Sequence, residues 1–166
     1  MEELDLGLDI DVNGTSGSVN NFLKNTLPHY IKGAGLRLND LSAPTFSGMP
    51  SARSALNSQE KKMEKAWKRV EQYEKKVVTV YQTLMLCTDT ATQPYKTILV
   101  KKYIDDQPDW KVANLVKYSD RQFGLKKKLA LCDFAELLEA QKVKNSTLDI
   151  PNLLVYKQSG FTSTAD

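Results

Sequence analysis

One helix-opening signal set between two apolar patterns restricts this fold more than any other feature. In the stretch DWKVANLVKYSDRQFGLKKKLALCDFA, residues 109–135, Trp110, Val112, Ala113 and Val116 fall at helical spacing on one face. After a short polar gap the spacing resumes with Phe123, Ala130 and Phe134 and continues through Leu137 and Leu138. Ser119 has the chemistry of an N-cap, and Gln122 three residues on completes a capping box. Lys117 and Tyr118 then form the turn, and Ala113 is small enough for two helices to cross closely. The pattern predicts one helix from Pro108 or Asp109 to Val116 and a second from Ser119 to about residue 140.

That spacing is the spacing of a helix-turn-helix, whose second helix lies in the DNA major groove with its N-terminal residues at the base edges. Here those residues are Ser119, Asp120, Arg121 and Gln122. Arginine pairs bidentately with guanine and glutamine with adenine. Lys126, Lys127 and Lys128, one to two turns on, and Lys117 in the turn are the expected phosphate contacts, which add salt-dependent affinity without sequence information. An ordinary helical hairpin with a solvated charged face accounts for the same pattern.

The net charge of +3 does not argue for nucleic acid by itself, but its distribution is uneven. Residues 1–11 hold the acids Glu2, Glu3, Asp5, Asp9 and Asp11 and no base. Between Lys117 and Lys128 stand five bases (Lys117, Arg121, Lys126, Lys127, Lys128) against one acid, Asp120, and such a patch raises local affinity for a polyanion.

Upstream, Asn57 and Glu60 match a capping pattern ahead of a long helix. Its apolar positions repeat every seven residues, Met63, Val70, Val77 and Leu84 in one series and Ala66, Tyr73 and Val80 in the other. Two readings stay open: a coiled-coil contact with a second copy through Met63, Val70, Tyr73 and Val77, or packing along the core of the chain's own domain. Trp67, Tyr81 and Met85 widen the stripe, as packing against more than one helix requires. Pro94 suits the first turn of a further helix to Ile104, with Tyr95, Ile98 and Leu99 facing inward.

Several function classes lack their residues. His29 is the single histidine, and no Gly-Lys-Ser/Thr phosphate loop or Gly-x-Ser-x-Gly elbow is present. Cys87 and Cys132 form no CxxC pair and sit in apolar helical contexts, the setting of buried, reduced thiols. Asp105 and Asp106 are adjacent and read as loop residues rather than a metal pair. The expectation is therefore a protein without catalytic activity, cofactor or metal. The first ten residues are acidic rather than basic and then apolar, and no apolar run approaches the ~20 residues that span a bilayer, so a cytoplasmic protein of a bacterial host cell is expected.

The stretch ILVKKYIDDQPDWKVANLVKYSDRQFGLKKKLALCDFAE resembles the C-terminal half of the ArpU-type phage transcriptional regulators. The resemblance is carried by Ile98, Leu99 and Tyr103, by Asp109, Trp110 and Ala113, by Tyr118, Ser119, Arg121 and Phe123, by Lys126 to Lys128, and by Phe134 and Ala135. MPSARSALNSQEKKMEKA upstream is similar to the family's segment before its long helix, so the likeness covers roughly residues 45–140. It implies a helix-turn-helix like region 4 of sigma-70 factors and a role in regulating late genes of phages and prophages. The chain departs from the family at three places: Lys117 where the turn usually has glycine, Gly124 inside the second helix, and Leu125 where a base or an aromatic is common.

The expected architecture is all-α: a long helix plus a C-terminal helix-turn-helix, sigma-70 region 4-like. Residues 1–17 form a disordered acidic arm, 18–56 short helices and a linker, 57–87 the long helix, 94–142 the DNA-binding domain and 143–166 a loose tail, in which LLVY is the one candidate for a strand or docking segment. The expected partner is double-stranded DNA, with RNA polymerase and a second copy of the chain as further candidates and no membrane. The leading expectation is a sequence-specific transcription regulator. The alternatives are a phage DNA-packaging small terminase subunit and a sigma-like factor acting through RNA polymerase.

Overall fold

The computed structural model describes residues 9–42 and 61–157. Among these residues every regular element is helical; two isolated antiparallel bridges, Ile10 with Tyr156 and Asp89 with Pro94, are the only extended pairings. In chain order the helices are α1 (Val12–Asn21), α2 (Leu27–Gly33), α3 (Leu38–Ser42), α4 (Lys61–Leu86), α5 (Tyr95–Leu99), α6 (Asp109–Val116) and α7 (Asp120–Asn145). Residues 1–8, 43–60 and 158–166, with the capping pattern expected at Asn57 and Glu60, lie outside the described residues.

α1 corrects the expectation of a disordered arm as far as residue 17. Asp11 caps the helix by accepting from the Gly14 amide, and Thr15 and Ser16 are buried. The sequence VNGTSGSVNN is poor in helix formers, so this helix is stabilised by what it packs on rather than by propensity. Pro28 is accommodated within the helical run. Phe22–Thr26 forms a π-helical turn in which the Leu27 amide reaches back to the Phe22 carbonyl, and Pro28 then falls in the first turn of α2, where no amide is needed. Val100–Ile104 extends α5 by a second π-helical turn.

The long helix α4 agrees with the expectation, and its seam divides. Val77, Val80 and Leu84 are wholly buried inside the chain, whereas Met63 is 55% exposed and Ala66 is exposed. Tyr73 packs on α2, with its ring edge-on to His29 and tilted against Tyr30. Gly33 permits this approach, since a Cβ there would stand 2.5 Å from the Tyr73 ring. Val77 is thus wholly inside the chain and not available to a second copy, which corrects its expected role; of the four, Met63 and parts of Val70 and Tyr73 remain at the surface.

Two apolar clusters result. The larger joins Val19, Phe22, Leu27 and Ile31 to Val80 and Leu84 of α4, to Tyr95 and Leu99 of α5, and to Ala130, Phe134 and Leu138 of α7. Truncating a side chain such as Phe134, which is fully buried, costs about 3–5 kcal/mol. The smaller cluster consists of Ile98, Val112, Ala113 and Phe123, flanked by Val116 and Tyr118, and it holds α5, α6 and the start of α7 together.

The tail is docked as far as residue 157, against the expectation of a loose end. Ser146 ends α7 in the left-handed conformation, and the Thr147 amide returns to the Lys142 carbonyl. The buried Lys142 ammonium pairs with Glu139 and donates to the Ile150 carbonyl, and Ile150 and Leu153 enter the core. Thr15 Oγ1 donates to the Val155 carbonyl and accepts from the Val155 amide, while the Asp11 amide donates to the same carbonyl. This contact supplies the order that the composition of residues 9–17 does not.

Candidate nucleic-acid interface

α6 and α7 are joined by three residues, Lys117, Tyr118 and Ser119, whose geometry follows from local chemistry. α6 ends with Lys117 at φ 64°, left-handed, with the Lys117 amide donating to the Asn114 carbonyl and the Tyr118 amide to the Ala113 carbonyl. These paired bonds satisfy the last carbonyls of α6 and turn the chain. α7 then opens on the expected capping box. Ser119 Oγ accepts from the Gln122 amide at 3.2 Å, and Gln122 Oε1 accepts from the Ser119 amide at 3.3 Å.

The box bears on Gln122 as a reader. Bidentate recognition of adenine uses both ends of a glutamine amide, and here Gln122 Oε1 also receives the Ser119 hydroxyl, at 3.2 Å. Gln122 therefore meets a base only by leaving the box. Arg121 is exposed, and no hydrogen bond or ion pair of its guanidinium occurs among the described residues. Asp120, Lys117 and Leu125 are exposed as well.

The three consecutive lysines are engaged within the chain. Lys126 donates to the Thr92 carbonyl at 2.9 Å, and its ammonium stands 5.8 Å from the centre of the Tyr118 ring. Lys127, whose side chain is 20% exposed, pairs with Asp109 at 3.1 Å, and Lys102 pairs with the same carboxylate at 3.0 Å. Burial alone would raise the Asp109 pKa, but hydrogen bonds from Lys102 and Lys127 and their charges outweigh it and hold the carboxyl below its usual range. Lys128 donates to Asn13 Oδ1 of α1 at 2.9 Å. Each of the three lysines expected as phosphate contacts thus has a partner within the chain. Lys126 and Lys127 tie α7 to the 90–93 loop and to α6, and Lys128, still exposed, marks the edge at which α1 begins to cover the helix.

Trp110 is 63% exposed rather than inside. Its i+3 neighbour Ala113 is buried, so helical register alone does not account for the exposed indole. Lys111 is also exposed. Trp110 was expected on the inner face, and its exposure corrects that expectation. Cys87 and Cys132 are free thiols, both buried as expected. Burial, with Asp133 nearby, pushes Cys87 up to about 12, and burial, with Glu136 and Asp11, pushes Cys132 up to about 11.

Among the described residues no group of three or more histidine, cysteine or acidic side chains is placed to hold a metal, and no helix is long and apolar enough to cross a membrane. Comparison with protein-family models, with curated proteins and with solved structures gives no match to this chain. The resemblance to the ArpU-type regulators accordingly rests on the residues quoted for it.

Proposed function

We propose that the protein is a sequence-specific DNA-binding transcription regulator of phage or prophage late genes, reading the major groove of double-stranded DNA with the helix that starts at Ser119. α5, α6 and the start of α7 act as a helix-turn-helix unit similar to region 4 of sigma-70 factors. The observation that carries this reading is the exposed Arg121, unpaired among the described residues, in the first turn of a helix that is fixed by a capping box and by its own small core. A rigid mount of this kind holds a guanidinium in register with one base pair. Lys117 and Lys128 flank it and supply phosphate contacts, and Lys111 extends the basic surface along α6.

Replacing Arg121 with Ala tests the reading. Affinity for the preferred duplex falls by about 1–3 kcal/mol, and the preference relaxes at one position. An equal loss on every sequence would make Arg121 a phosphate contact, and no loss on any would remove it from the interface.

A second reading, a DNA-packaging small terminase subunit, keeps the same helix on DNA and adds assembly of several copies. It is favoured by the exposed Met63 and Ala66 at the start of α4. A ring-sized particle in solution would support it over the regulator, and binding to RNA polymerase in place of free DNA would support a sigma-like factor.

A further inference from the structure

The outward face of α7 is short. Lys128 meets Asn13, Cys132 Sγ lies 3.7 Å from the Val12 carbonyl, and Leu131, Cys132 and Ala135 are buried, so α1 covers the helix from its third turn onward. Ahead of that edge, Arg121, Gly124, Leu125 and Lys128 share one face at the i, i+3, i+4, i+7 spacing of a helix. Leu125 is 58% exposed. Gly124 has ordinary helical backbone, and a Cβ built on it meets nothing within 4 Å. The fold therefore makes no use of this glycine, which weakens a helix compared with alanine. Gly33 is the opposite case, because the Tyr73 ring occupies the space of its missing side chain.

A solitary exposed leucine needs no explanation. A leucine beside bare helix backbone, with a cation one turn to either side, matches one surface closely: the major groove of a duplex, with anionic walls and thymine methyl groups on its floor. Resting on the DNA-binding reading above, we propose that Gly124 is the point where the nucleic acid approaches the helix backbone, and that Leu125 packs on the C5-methyl of a thymine. One helical turn separates Leu125 from Arg121, which places that thymine within about two base pairs of the guanine met by Arg121.

The test uses the full chain and a duplex enriched by the wild-type protein from a random library. Gly124→Ala raises Tm by about 2–4 °C through helix propensity and lowers affinity about tenfold, stability and binding moving in opposite directions. Uracil in place of the critical thymine removes only the methyl and weakens the wild type about fourfold, while Leu125→Ala is indifferent to the exchange. Gly124→Ala binding as tightly as wild type, or uracil at every thymine leaving wild-type affinity unchanged, would overturn the inference and leave the regulator reading standing. Failure of the wild type to bind any duplex would overturn both.

Discussion

Lys127 of α7 and Asp109 of α6 are paired at 3.1 Å across the three-residue turn that separates their helices. The pair, with Lys102 as its third member, fixes the angle at which α7 leaves the turn, and it takes from the surface a charge that the sequence alone would assign to DNA.

Loss of this pair is expected to be felt in stability first. Asp109 is half exposed, so Asp109→Asn lowers stability at pH 7 by under about 1 kcal/mol. Because the folded carboxyl titrates below its usual range, the contribution is present above the unfolded pKa and is lost as pH falls through the folded value. Urea melts should therefore separate the variant from wild type at pH 7 and bring the two together as the pH falls through the lowered folded value. Lys127→Gln should likewise shift the melt but leave the salt dependence of DNA binding unchanged, whereas loss of a true phosphate contact flattens the slope by about 0.9.

Lys117 is held left-handed at φ 64°, where a side chain is strained. Lys117→Gly is expected to stabilise the fold by about 1 kcal/mol, read by thermal or urea unfolding. The same change removes an exposed cation and should flatten the salt slope of DNA binding, again by about 0.9. A variant that gains stability with an unaltered slope would take Lys117 out of the interface.

The two thiols set an alkaline limit. Burial raises both above the free value, Cys87 to about 12, so between the unfolded and folded values the unfolded state has lost a proton that the native state keeps. Stability therefore declines as pH rises through that window. Alkylation at pH 8 should be slow for both cysteines in the native protein and fast in denaturant; rapid labelling of native Cys87 would contradict its burial.

The divided seam of α4 separates two kinds of change. Val77→Ala removes methyl groups from a fully buried site and should destabilise the chain by about 1–2 kcal/mol at any protein concentration. Met63→Glu lies on the exposed part and should leave Tm unchanged; a fall in mass by light scattering would place a second copy against that end, and an unchanged mass would remove it.

Local chemistry was legible in the sequence where it decides the structure alone. The Ser119–Gln122 box, the Lys117 turn, the long helix α4 and the inward run of Phe123, Ala130, Phe134 and Leu138 are all of this kind. Contacts distant along the chain were not legible. α1 forms from weak helix formers because Thr15 and Asp11 meet the tail at Val155, about which neither stretch carries a local signal. The run Lys126–Lys128 looks like a single patch, yet its members point to Thr92, Asp109 and Asn13, three partners at unrelated distances along the chain. Trp110 shares helical register with the buried Ala113 yet stands 63% exposed, which its spacing does not announce.

Selection from a random duplex library at near-physiological salt, with the mass of the protein recorded in parallel, tests the central claim most directly. The account predicts a short enriched motif, single or paired, that contains a guanine with a thymine within about two base pairs of it. Binding without any enriched motif would contradict sequence-specific reading by α7, and with a ring-sized particle it would favour packaging. No binding at all would leave the charge at the start of α7 as an ordinary solvated face.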